Sequence, residues 1–196
     1  MVIGERFAWS HLPKTGGDAT LALFRLFPDL ILHADGEDTH DKHALFSERA
    51  DQVRGKVLAM NIRRLPSWLL SRAHHATKRG RYPDYKPLPM ESPREMAEST
   101  LPDQRLSEFT GRGKFAIDRW IRAESLTDDF LAFISEFTDL SAEERERVLE
   151  LGRINVLEYD HEVGHWFGED QIREIYRRNP MWAGVERELY GGLLVE

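Results

Sequence analysis

The sequence predicts an α/β fold with three layers, α/β/α, in which helices cover both faces of a central parallel sheet. Strand-like apolar segments alternate with segments of helical periodicity along the 196 residues, a length that suits one domain spanning 1–196. Residues 56–62 (KVLAMNI) form a continuous apolar run, which is typical of a parallel strand buried on both faces.

The elements follow in order along the first half of the chain. Residues 7–10 predict a strand, and residues 17–27 predict a helix that ends before Pro28. A short strand at 30–33 and a helix at 43–53 are expected before the apolar strand at 56–62. Residues 65–75 then predict a helix, because a proline is tolerated in a first helical turn.

The second half begins with a proline-rich segment, residues 78–113, which predicts a functional loop or a lid inserted in the domain. Residues 114–122 predict a strand or a helix–strand join. Helices are expected after Ser125, after Ser141, whose Ser-Ala-Glu-Glu sequence is a capping box, and after Gly168.

Composition narrows the class of protein. Hydrophobic residues make up 41% and charged residues 31% of the chain, as in ordinary globular proteins, and no apolar run is as long as a membrane span. The absence of cysteine excludes disulfides and thiolate metal sites and is compatible with a reducing cytoplasm, where we expect the protein. We expect no secretory leader, because the acidic Glu5 follows the N-terminus almost at once and no basic and apolar segment precedes it. A net charge of −7 argues against a nucleic-acid partner, whereas basic residues clustered between Arg63 and Arg81 suit a small polyanion.

The strongest motif is residues 11–17, HLPKTGG, between the first predicted strand and the first predicted helix. Two glycines let backbone N–H groups converge at a helix N-terminus, and Lys14 adds a mobile positive charge, so this order predicts an anion cradle. The lysine precedes the glycines, unlike in the nucleotide-kinase loop GxxxxGK[ST]. The segment resembles the 5′-phosphosulfate loop of sulfotransferases that use 3′-phosphoadenosine-5′-phosphosulfate (PAPS).

This resemblance implies a P-loop-type fold, PAPS as the donor, 3′-phosphoadenosine 5′-phosphate (PAP) as its product, and no metal. It implies that Lys14 is the catalytic cation that neutralises the departing phosphate oxygen. The implied donor-binding residues of the loop are Pro13, Lys14, Thr15, Gly16, Gly17, Asp18 and Ala19.

A second stretch, residues 56–75, resembles the family's RDPxxRxxSxY pattern, which grips the 3′-phosphate of the donor. The interval from arginine to serine matches Arg63 and Ser71, and alignment on Pro66 makes Arg64 the alternative phosphate ligand. The usual tyrosine position is Ala73 here.

Two further segments extend the resemblance. Residues 115–130 look like the family's hhlRxExLxxDF segment, and NPMWAGVERELYG resembles the closing helix of many bacterial members. The chain is therefore more similar to the carbohydrate-type and bacterial family 2-like sulfotransferases than to the cytosolic phenol and steroid enzymes, whose RKGxxGDWKxxF signature is absent.

The resemblance also suggests a base and an acceptor side. His43 is favoured as the base, His40 comes next, and His11, also assigned to the acceptor side, comes third, because imidazole titrates near neutral pH. A metal site formed by His40 and His43 with Asp38 or Asp41 is a weaker alternative. Basic and aromatic residues of the proline-rich segment suit a carbohydrate or a small metabolite with a hydroxyl or amine acceptor: Arg79, Arg81, Tyr82 and Tyr85.

Asp18 departs from the family pattern, which has Thr or Ser at that position. A carboxylate there repels a phosphate. Three explanations are open: Asp18 points away and caps the helix, it contacts the acceptor or serves as a base, or the donor site is altered. Two alternative functions follow: a catalytically silent relative that binds a nucleotide or a partner, and a P-loop kinase-like phosphotransferase. A monomer and a homodimer are both open.

Overall fold

The central sheet is mixed, with a parallel core. The computed structural model describes residues 1–36, 40–78, 101–151, 154 and 158–196. Within them, five strands pair in the order β3-β1-β2-β4-β5, in which β2, β4 and β5 are parallel and β1 is antiparallel to both neighbours. Their bounds are β1 Val2–Ile3, β2 Phe7–His11, β3 His33–Ala34, β4 Val57–Ile62 and β5 Arg119–Arg122.

The α/β class is thus confirmed, but the expectation of an entirely parallel sheet is wrong at β1. Only residues 4–6 join β1 to β2, and a parallel crossover needs a dozen residues or more. The chain therefore turns back as a hairpin, in which the Gly4 N–H donates to the Phe7 carbonyl at 2.9 Å.

The helices alternate with the strands in the first half and dominate the second half. They are α1 Gly17–Phe24, α2 Ala50–Val53, α3 Leu65–Lys78, α4 Pro102–Phe109, α5 Leu126–Ile134, α6 Ala142–Glu150, α7 Val163–Trp166, α8 Glu169–Arg178 and α9 Pro180–Tyr190. No helix in the described ranges is both long and apolar enough to cross a membrane.

Most predicted elements are present, with shifted bounds. Helix α1 ends three residues before the predicted Phe27, and the expected strand at 30–33 is a 3₁₀ turn, Pro28–Leu30, followed by β3. The predicted helix at 43–53 is helical only in α2, which follows two 3₁₀ turns, His40–His43 and Phe46–Arg49.

The loop predicted at 78–113 contains helix α4, so that part of the prediction is wrong. Pro102 stands at the first helical position, where a missing N–H costs nothing. The Asp103 carboxylate then accepts hydrogen bonds from the N–H groups of Met181 and Trp182, both at 2.8 Å. Residues 79–100 lie outside the described residues.

The chain divides into two compact units, one of residues 1–63 and 107–155 and the other of residues 64–106 and 156–196. The first unit contains the sheet, and aromatic rings fill its core: Phe7 stacks on Phe24 at 5.7 Å, and Phe24 meets Phe130 edge-on at 5.1 Å. Burying such rings is the main stabilising contribution of this core.

The second unit contains a buried carboxylate, that of Glu186. Glu186 of α9 is fully buried and accepts hydrogen bonds from the Leu65 N–H and, at 2.9 Å, from the Tyr176 hydroxyl. Arg64 lies 3.4 Å from the same carboxylate and stacks over the Tyr190 ring. A buried charge of this kind is stable only because these groups compensate it.

Candidate anion-binding loop

The HLPKTGG segment joins the end of β2 to the start of α1 through two left-handed residues. Lys14 has a φ of 73° and Gly16 a φ of 92°, and Gly16 precedes the first residue of α1. Alternation of left-handed and ordinary residues turns successive N–H groups toward one side, and the helix N-terminus adds its positive dipole end. The N-cap residue of α1 is Gly16, which has no side chain to cap the helix, so the backbone geometry of this loop suits an anion.

Close packing requires glycine at position 17, and the left-handed φ of 92° favours glycine at position 16. A Cβ on Gly17 would lie 1.9 Å from Cδ2 of His11, and one on Gly16 would lie 2.7 Å from Cδ1 of Leu126. Those distances are far below carbon contact, so the loop backbone lies directly against the His11 ring and the start of α5.

A buried polar network holds the loop to the sheet. Asn61 of β4 accepts a hydrogen bond from Trp9 Nε1 at 2.6 Å and donates to Thr20 Oγ1 at 2.9 Å. The Thr15 hydroxyl, one of the predicted donor-binding groups, donates to the Leu12 carbonyl at 2.7 Å and so stabilises the turn itself. Loop, strand β4 and helix α1 are thereby tied together inside the first unit.

Asp18 forms an ion pair that sequence analysis missed. Its Oδ1 lies 2.6 Å from Nζ of Lys42, and both side chains are partly exposed. The pair neutralises the carboxylate that the sequence suggests would repel a phosphate. Lys42 lies 24 positions along the chain, in a 3₁₀ turn, and no periodic pattern links the two residues.

His11 and His43 lie beside the loop with their rings 4.6 Å apart. Burial first, and then His43, hold the pKa of His11 well below its ordinary value. Burial, followed by Lys42, also lowers the pKa of His43, while a hydrogen bond with the His11 backbone and the charge of Asp18 oppose this. Both imidazoles are therefore neutral at pH 7.

The Nδ1 atoms of these two histidines are buried and have no hydrogen-bond partner among the described residues. A buried polar atom without a partner costs free energy, so its presence beside the loop suits a polar ligand. His43 is the more exposed of the two, whereas His11 is only 3% exposed and stacks on Trp9.

Arg63 follows the last residue of β4, and the loop follows the last residue of β2. These strands are parallel neighbours, with His11 in register with Asn61, so both segments leave the sheet at its carboxyl edge. Arg63 is partly buried there. In open α/β sheets, ligands bind at this edge.

The other two residues of the predicted 3′-phosphate group lie in the second unit. Ser71 is a buried residue of α3, 5% exposed. Arg64 donates to the Gly192 carbonyl at 2.9 Å in addition to its contacts with Glu186 and Tyr190. Because its guanidinium already serves this buried network, Arg63 is the better candidate for a phosphate ligand.

The segment of residues 115–130 contacts the loop through Leu126. Arg122 donates through Nε and a terminal nitrogen to the two oxygens of Asp129, at 2.8 and 2.7 Å, and the same carboxylate accepts from the Arg122 N–H. This fork fixes the turn that leads to Leu126, whose side chain lies against Gly16.

Other predicted site residues are only partly described. Pro13 and Ala19 are partly buried members of the loop and of α1. The backbone of His40 begins the turn His40–His43, but its side chain lies outside the described part, as do Asp38, Arg79, Arg81, Tyr82 and Tyr85. Within the part that is described, no three histidine or carboxylate side chains group closely enough to hold a metal ion.

Asn61, Thr20 and Lys42 are the contributors that sequence analysis did not identify. A polar residue inside the apolar run KVLAMNI is the signal that could have revealed Asn61, because buried polar side chains in strands need a partner. In comparisons with family models, curated proteins and solved structures, the chain matches none.

Proposed function

We propose that this protein is a PAPS-dependent sulfotransferase, which moves a sulfuryl group to a hydroxyl or amine of a carbohydrate or small metabolite. The observation that carries the proposal is the loop from β2 to α1, with left-handed Lys14 and Gly16 and with a glycine as the N-cap residue of α1. A turn of this shape binds phosphate-like anions through its backbone.

The residues at the loop fit the donor. The N–H groups of the loop would hold the 5′-phosphosulfate, and Arg63, at the end of the neighbouring strand, would hold the 3′-phosphate. The bound donor supplies an activated sulfuryl group on a phosphate leaving group. Lys14 stabilises the negative charge that develops on that leaving group.

His43 is the proposed base. Its lowered pKa keeps the imidazole neutral at pH 7, which is the protonation state that a general base needs. His43 is more exposed than His11, which is enclosed between Trp9 and Gly17 and suits a positioning role. Asp18 lies close enough to favour the imidazolium that forms.

We also infer a P-loop-type fold from the order of the strands. A parallel core of β2, β4 and β5, with a glycine loop after β2 and an arginine after β4, supports a P-loop-type three-layer arrangement. We propose a cytoplasmic enzyme with Arg79, Arg81, Tyr82 and Tyr85 on the acceptor side.

A catalytically silent, nucleotide-binding relative is the second candidate, and Asp18 favours it. A carboxylate in the first turn of α1 lowers anion affinity wherever its ion pair with Lys42 opens. Retained PAP binding without transfer to any acceptor in a broad panel would support this candidate over the enzyme.

The test combines donor binding with transfer of ³⁵S-labelled sulfate from PAPS to an acceptor panel. Lys14→Ala and Arg63→Ala should each weaken PAP binding at least tenfold, since each removes one charged contact worth about 1.5–3 kcal/mol. Lys114→Ala and Arg54→Ala, at exposed positions of the same unit, are the matched controls and should bind normally. Normal PAP binding by both site variants would make the site assignment wrong.

A further inference from the structure

Lys42 stands out because the proposed function assigns it no role, although it lies next to the loop. It belongs to the turn His40–His43, and its ammonium nitrogen lies 2.6 Å from Asp18 Oδ1 in the first turn of α1. The Lys42 side chain is 26% exposed and that of Asp18 is 36% exposed, so an anion and water can still reach the pair.

The charges at the loop explain why this contact matters. Without Lys42, the positive charge of Lys14 and the dipole of α1 would be opposed by a full negative charge at the second helical position. At about 4 Å in water, a unit charge repels another by about 1 kcal/mol, and by more where water is partly excluded. Lys42 cancels this repulsion.

The same pair also acts on the neighbouring imidazole. Lys42 lowers the pKa of His43, and Asp18 raises it. His43 therefore reports on both members of the pair independently of any ligand.

We propose that Lys42 is a donor-site residue, the built-in counterion of Asp18 that makes the loop competent to bind an anion. The proposal rests on the proposed function for the identity of the anion, a phosphosulfate, and on the contact itself for the electrostatics. The two charges of Asp18 and Lys42 cancel at the site, and the loss of either residue changes the net charge that a bound anion meets.

The test is a double-mutant cycle of Lys42→Ala, Asp18→Asn and the combined variant, with calorimetric titration of PAP and, separately, of inorganic pyrophosphate. We expect Lys42→Ala to weaken anion binding about tenfold and Asp18→Asn to strengthen it about threefold or more. The combined variant should return to within about twofold of the parent, because the charge of the site is then unchanged. Lys42→Arg should preserve binding.

Thermal melts of every variant separate lost binding from lost folding, since a partly exposed pair contributes at most about 1 kcal/mol to stability. NMR titration of His43 adds a readout without ligand: its pKa should rise in Lys42→Ala and fall in Asp18→Asn. A Lys42 ammonium that lay away from Asp18 and His43 would give neither shift, and the contact on which the proposal depends would then be wrong.

The outcomes distinguish the two proposals. If the parent binds pyrophosphate but not PAP, the donor assignment fails while the pyrophosphate cycle still decides the role of Lys42. If the combined variant binds as weakly as Lys42→Ala, or if Asp18→Asn fails to strengthen binding, the counterion role is overturned. A parent that binds neither anion overturns both proposals.

Discussion

Gly17→Ala is the substitution that tests the loop geometry most sharply. The added Cβ would lie 1.9 Å from Cδ2 and 2.1 Å from Nε2 of His11, whereas carbon atoms in contact stay about 3.5–4.0 Å apart. The ring cannot move aside easily, because it is 3% exposed, stacks on Trp9 at 4.9 Å and meets His43 at 4.6 Å.

The expected cost is that of overpacking a buried position, about 1–3 kcal/mol. Alanine recovers less than about 1 kcal/mol through helix propensity. We therefore expect a net loss of about 1–2 kcal/mol, or about 2–8 °C in Tm, measured by thermal and urea unfolding. PAP binding should fall as well, since the clash displaces the first turn of α1.

Gly184→Ala is the matched control. It lies in α9 with open space around the added Cβ, and it should stabilise the protein by about 0.5–1 kcal/mol. In a His11→Ala background the ring is gone, so Gly17→Ala should cost clearly less than in the parent. Parental stability and PAP affinity for the Gly17→Ala variant would refute the proposed packing of His11 on the loop.

Two further predictions concern the residues beneath and beside the loop. Asn61→Ala should lower the free energy of unfolding by about 2–4 kcal/mol, measured by urea unfolding. The substitution removes the hydrogen bonds that Asn61 makes with the buried Trp9 indole N–H and the Thr20 hydroxyl. A loss below about 0.5 kcal/mol would contradict this network. Because the pKa values of His11 and His43 are lowered in the native protein, the unfolded chain binds protons more readily than the native one. The free energy of unfolding should therefore be highest above about pH 6.5 and should fall as the pH drops toward 5. His11→Asn should flatten this slope in urea unfolding measured from pH 5 to 8, and an unchanged slope would contradict the burial of a neutral His11.

Sequence patterns sufficed for the elements that position the loop. The apolar run of β4, the strand β2 and the start of α1 all lie where their residues predict them, because long buried segments and a glycine pair leave few alternatives. Strand β1 has only two residues, too few for any periodicity, and its pairing with β2 depends on a tertiary contact.

Helix α4 shows a different limit. Its surroundings in the sequence are rich in proline, which obscures a helix of eight residues that begins with one. Its N-terminus is fixed by Asp103, whose partners on α9 lie almost 80 residues further on. No local pattern contains that information.

The candidate site also combines residues that a local sequence pattern identifies with a contact that only tertiary packing creates. The spacing of Lys14, Gly16 and Gly17 is typical of a phosphate-binding turn, so these candidate residues can be identified from the sequence alone. The ion pair of Asp18 with Lys42 was not recognisable, because it depends on how the turn His40–His43 packs beside α1. An apparent misfit in the motif is thus a charge that is neutralised by a distant residue.

We propose that this loop and Arg63 form a site for a 3′-phosphorylated donor. The most direct measurement is calorimetric titration of the parent protein with PAP, with ADP, AMP and ATP as controls and no added metal. We expect micromolar binding of PAP and at least tenfold weaker binding of ADP and AMP, which lack the 3′-phosphate. Equal affinity for PAP and ADP, or no binding of PAP, would contradict the proposal.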